Sequence, residues 1–173
     1  LSNVFADAGT NLTNIIGEGI AAAQISPGVW VGSLSEIERQ DGYWVKVNAP
    51  DSLIVSDAIP TENAVYELHS GANLISWPSA NAVAVGSAIP NDVEGAFIGI
   101  IGEGVAASLH PDLGWVGSLS EFEGEKGYWA KVSESVTFSF LTDGDARSGG
   151  NDIQTSNLFN QSMEQAFYFI GDI

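Results

Sequence analysis

Gly42 to Val47 reads G-Y-W-V-K-V, and the same phrase returns as G-Y-W-A-K-V from Gly127 to Val132. In the first, Tyr43, Val45 and Val47 alternate with Trp44 and Lys46, the period of two expected of a strand with one face turned inward. Lys46 and Lys131 then share a face with Trp44 and Trp129. A strand of this kind needs partners, so its recurrence predicts two sheets.

Working outward, Ile15 to Val47 aligns without a gap on Ile100 to Val132 at a constant offset of 85, with 20 of 33 positions identical. Two further blocks carry the match: I-I-G-E-G from Ile15 and Ile100, and W-V-G-S-L-S-E from Trp30 and Trp115. The second block reads as a strand whose glycine permits a bulge or the close approach of another backbone. The first reads as a turn closing a short helix: Asn91 or Asp92 can cap a helix whose stripe is Val93, Phe97, Ile100 and Ile101, and Leu12, Ile15 and Ile16 repeat part of it. The fold expected is therefore mainly β with one short helix per repeat, in two tandem pseudo-symmetric modules. Their expected bounds are 1–60 and 61–141, followed by a linker and terminal strand over 142–173.

The copies differ at their leading edges. The second opens with Tyr66 and Leu68, then G-A-N-L-I-S-W-P from Gly71 to Pro78, an extra strand ended by proline. By the same offset Leu1 aligns with Gly86, so the first copy starts too late to own that strand. Its sheet is expected to present an open edge, which proteins rarely leave bare. Far along the chain, Gln165, Ala166, Phe167, Tyr168, Phe169 and Ile170 form a strongly β-prone run with no counterpart in the repeats. A polar, Gly-rich stretch from Thr142 to Thr155, able to extend roughly 45 Å, tethers it. One vacancy and one surplus strand suggest strand addition, either within the chain or between copies, the latter growing a filament.

The residues G-A-N-L-I-S-W-P, G-E-G-V-A, G-W-V-G-S-L and G-Y-W-A-K-V resemble tandem repeats of large secreted or surface proteins of marine and environmental bacteria. F-N-Q-S-M-E-Q-A-F-Y-F from Phe159 is similar to the opening of a module that follows such repeats. The resemblance implies an extracellular or cell-surface, multidomain, structural or adhesive setting and no enzymatic activity.

Composition narrows the chemistry. The chain has 22 acidic and 5 basic residues, a net charge of −17, which repels nucleic acid and anionic membrane surfaces. No cysteine is present, so disulfides and thiolate metal sites are excluded. No apolar run reaches the ~18 residues of a spanning helix. His69 and His110 do not recur at offset 85 and stand in no catalytic motif; both are expected to be solvated. Glu18 with Glu36, or Glu103 with Glu121, offer paired carboxylates, but a duplicated active site without other polar machinery favours turn and strand-end roles. Glu18 and Glu103 are also the expected partners of Lys46 and Lys131.

No organic cofactor is implied. Asp143, Asp145, Asn151 and Asp152, in D-G-D-A-R-S-G-G-N-D, supply hard oxygens for calcium, although Arg147 and Ser148 break the EF-hand pattern and a flexible acidic linker is the competing reading. Trp30, Trp44, Trp77, Trp115 and Trp129 either pack the core or stack sugar rings. Glycan binding, with Trp44 and Trp129 as the stacking residues, is the alternative function.

Overall fold

The computed structural model describes residues 1–2, 4–5, 10–53 and 64–142, together with the backbone of Ala166 and Phe167. The first repeat supplies β1 (Leu12–Ile16), β2 (Ala21–Ser26), β3 (Val29–Gly32) and β4 (Trp44–Val47). The second supplies β5 (Val65–Leu68), β6 (Gly71–Ser76), β7 (Val83–Ala84), α1 (Val85–Ala88), α2 (Asn91–Glu94), β8 (Phe97–Ile101), β9 (Ala106–His110), β10 (Gly114–Gly117), β11 (Glu121–Phe122), β12 (Gly127–Val132) and β13 (Val136–Ser139). Ala166–Phe167 forms β14. The protein is mainly β, and all the described ladders are antiparallel.

Two five-stranded sheets repeat one plan. One runs β14-β4-β1-β2-β3 and the other β6-β12-β8-β9-β10. Registers repeat as well: Ile16 lies opposite Trp44 as Ile101 lies opposite Trp129. Two-stranded ladders, β5 with β13 and β7 with β11, complete the second module.

Many of the shared residues have a visible task in this plan. A Cβ placed on Gly32 would stand 2.1 Å from the carbonyl oxygen of Ala21, and one on Gly117 would stand 2.1 Å from that of Ala106. Only glycine allows this approach, so W-V-G holds the backbone contact expected of it. The next two residues finish the joint. Ser33 Oγ accepts the Ala21 N–H at 3.2 Å and Leu34 donates its N–H to the Ala21 carbonyl at 3.0 Å; Ser118 and Leu119 do the same for Ala106 at 3.1 and 3.0 Å. The Tyr43 hydroxyl accepts the Glu38 N–H at 2.9 Å, and Tyr128 accepts that of Glu123 at 2.9 Å.

The helical part of the expected fold requires correction. Leu12, Ile15 and Ile16 lie in β1, and Phe97, Ile100 and Ile101 in β8. Apolar residues three and four apart fit a helix, but Gly99, placed with Ala107 O 2.8 Å from where its Cβ would be, belongs to a tightly packed ladder. Gly17 to Gly19 and Gly102 to Gly104 accordingly turn β-hairpins between β1 and β2 and between β8 and β9, not helix ends. Both described helices belong to the second module and span four residues each. Asn91 begins α2, and Pro90 occupies the N-cap without a side-chain bond.

The cores are unequal. The second module buries an aromatic cluster in which Trp77 stacks on Phe122 with centroids 5.0 Å apart and planes 8° apart. Tyr66, Phe97, Tyr128, Phe138 and Phe140 surround that pair. In the first module the buried set is Phe5, Leu12, Ile15, Ala22, Leu34, Tyr43 and Val45. A small, largely apolar depression, open to solvent, is lined by Phe5, Leu12, Val45, Val47, Asp51, Ser52 and Leu53.

Candidate functional site

The outer edge of β4 is where the repeat plan predicts a vacancy. In the second module that place belongs to β6, with Asn73 opposite Ala130 and Leu74 opposite Trp129. In the first, β14 stands there: Ala166 pairs with Val45 and Phe167 with Trp44. Since Val45 and Trp44 correspond to Ala130 and Trp129, β14 occupies against β4 the position that β6 holds against β12, in antiparallel sense like β6. The remaining strand-addition candidates, Gln165, Tyr168, Phe169 and Ile170, lie outside the described residues, as do the calcium candidates Asp143, Asp145, Asn151 and Asp152. Among the described residues there is no cluster of three acidic or histidine side chains able to hold a metal.

The second contact joins the repeats, and sequence reasoning missed it. The Glu18 carboxylate, at the tip of the β1–β2 hairpin, reaches the edge of β6 that faces away from β12. Its Oε2 accepts the Leu74 N–H at 2.9 Å and its Oε1 meets His69 Nε2 at 2.6 Å. Just before β4, the Gly42 N–H donates to the Leu74 carbonyl at 2.9 Å, and the Ser76 N–H donates to the Gln40 carbonyl at 2.9 Å. Asp41 forms a bridge with Ile75, and the Ser76 hydroxyl donates to the Arg39 carbonyl at 2.6 Å. An edge strand of the second module is thus covered by the first, which removes an exposed row of backbone donors and acceptors.

This geometry corrects the expected Lys–Glu pairs. Glu18 serves Leu74 and His69, and among the described residues no ion pair joins Lys46 or Lys131 to Glu18 or Glu103. Lys46 and Lys131 point to the exposed face of their strands, where an ion pair would contribute little. His69 is exposed, as expected, yet partnered. Its Nδ1 lies 2.9 Å from the Ser70 carbonyl, so both ring nitrogens face acceptors and the doubly protonated ring is favoured. The backbone carbonyl of Ser70 and the Glu18 carboxylate both raise its pKa. His110 accepts the Asp112 N–H at Nδ1, 3.1 Å away, in its own loop. Burial raises the Asp41 carboxyl above the usual range, against the lowering effect of its bond from Tyr43. Glu36 and Glu121 are exposed.

The tryptophans divide. Trp77 is fully buried and its Nε1–H donates to the Asn81 carbonyl at 2.9 Å. Trp30 and Trp115 pack against the two cores. Trp44 and Trp129 are half-buried, on the sheet faces away from those cores, beside Ile16 and Ile101, which are 47% and 50% exposed.

No family model matches this chain, and no curated protein or solved structure does so either. Among the described residues no helix is long and apolar enough to cross a membrane.

Proposed function

We propose that this chain is a structural or adhesive repeat protein of the cell exterior that assembles by strand addition at the outer edge of β4. The observation supporting this reading is the placement of Ala166 and Phe167 opposite Val45 and Trp44, where the second module has its own lead strand. Acceptor and donor are distant in the sequence, at Trp44–Val47 and Ala166–Phe167. The same ladder therefore forms with equal chemistry when the donor comes from another copy, and that contact repeats head to tail without closing. Backbone hydrogen bonds would supply the affinity.

Deleting Met163 to Ile173 tests the proposal. Light scattering and electron microscopy are expected to show assemblies for the intact chain and soluble, folded monomers for the deletion. Assemblies that persist unchanged, or an intact chain that is monomeric at every concentration, would overturn it.

A glycan-binding reading is favoured by one observation, the half-exposed Trp44 and Trp129 opposite Ile16 and Ile101 on the outer sheet faces. Such a surface suits sugar-ring stacking. A glycan array decides the matter: binding that disappears in Trp44→Ala and Trp129→Ala supports it, and silence across the array ends it.

A further inference from the structure

We infer that Glu103 is a docking carboxylate for the lead strand of a further repeat module, performing for an incoming strand what Glu18 performs for β6. The inference rests on the joint between the two repeats and is independent of strand addition at β4.

The hairpin that carries each glutamate has one shape. A Cβ on Gly17 would lie 3.1 Å from the Tyr43 ring, and one on Gly102 would lie 3.1 Å from the Tyr128 ring. Gly19 and Gly104 share a left-handed backbone, with φ of 69° and 70°. The flanking register, Ile16 opposite Trp44 and Ile101 opposite Trp129, is also common to both. Glu103 is therefore projected from the second module as Glu18 is from the first.

Their surroundings differ in what they meet. Glu18 is held by the Leu74 N–H and by His69. Glu103 is partly buried, and among the described residues its carboxylate has no hydrogen-bond partner. Lys126 stands where the first module has Asp41, but its ammonium is 2.7 Å from Glu123. Glu125, in the place of Gln40, adopts a left-handed backbone with φ of 62°, so the backbone half of the joint is reshaped and the carboxylate is the element both copies share.

The occupant this site fits is an extended segment of the G-A-N-L-I-S kind, with a free N–H edge and an imidazole or cation near its start. The seating of β6, preceded by His69, on Glu18 is the precedent. An edge strand so placed would be covered by the second module as β6 is covered by the first, and repeats would be added in series.

A synthetic peptide spanning Glu67 to Pro78, titrated onto the intact chain and followed by the backbone amide signals of Glu103 and Gly127, provides the test. Saturable shifts below about 1 mM are expected, with binding weakened at least about five-fold by Glu103→Gln, which removes a charge-assisted contact. The exposed control Glu121→Gln should bind like the parent, and unchanged circular dichroism verifies that each variant is folded. Absence of saturation, or equal binding by Glu103→Gln, would overturn the assignment. Failure of the chain to form filaments would leave this result untouched.

Discussion

The Glu18 carboxylate and the His69 imidazole meet at 2.6 Å across the boundary between the two repeats. His69 faces the Ser70 carbonyl on its other side, and both partners favour the charged ring. Its folded-state pKa therefore lies above the ~6.5 of a free imidazole. The resulting stability is complete below that unfolded value and is lost as the pH rises through the folded one. Denaturant unfolding of the parent and His69→Ala should differ most near pH 5 and converge by about pH 9. A difference independent of pH would refute the contact.

Glycines of the repeat should not tolerate substitution equally. Gly32→Ala and Gly117→Ala each press a Cβ to 2.1 Å from a carbonyl oxygen in a left-handed backbone, with φ of 147° and 148°. Each is expected to cost more than about 3 kcal/mol, since backbone must move. Gly19→Ala, with φ of 69° and open space around it, should cost about 1–2 kcal/mol. Urea midpoints measured for the three variants check the order.

Trp30 and Trp115 occupy matching positions but end differently. The Trp115 Nε1–H donates to Glu94 Oε1 at 2.8 Å, from α2. Among the described residues the buried Trp30 Nε1 has no hydrogen-bond partner. Replacing Trp115 by Phe loses a charge-assisted bond, whereas the same change at Trp30 relieves an unpaired donor. Trp115→Phe is expected to be the more costly by about 1–3 kcal/mol, and equal thermal midpoints would contradict this.

Burial separates the remaining tryptophans. Trp77→Ala empties the centre of the aromatic cluster and should cost about 3–5 kcal/mol. Trp129→Ala, on a half-exposed face, should cost clearly less. Calorimetry that ranked them in the opposite order would place the core elsewhere.

The strands were legible because alternation in G-Y-W-x-K-V is short-range and both copies carry it. The lead strand from Gly71, and Ala166–Phe167 within the β-prone run, were legible from local residue types alone, without a repeat to support them. The stripe at Val93, Phe97 and Ile100 misled: spacing alone cannot separate a helix from a buried strand when Gly99 packs against Ala107, a contact set by tertiary structure. The joint was hidden for a different reason. Glu18 and His69 are 51 residues apart, and His69 has no counterpart at offset 85, so no periodicity links them. The repetition of glutamate between two glycines was the available signal, and pairing it with the nearest lysines followed charge where backbone N–H groups decided.

Among the described residues, two ladder pairs join β14 to β4. The occupancy of that contact depends on how much strand is present at the edge. Carried on the same chain, a strand reaches an effective concentration on the order of millimolar. Any strand arriving from solution competes with that figure. Under the proposed strand addition, shortening the polar stretch from Thr142 to Thr155 until it could not span would remove the local competitor without altering either the strand or the edge.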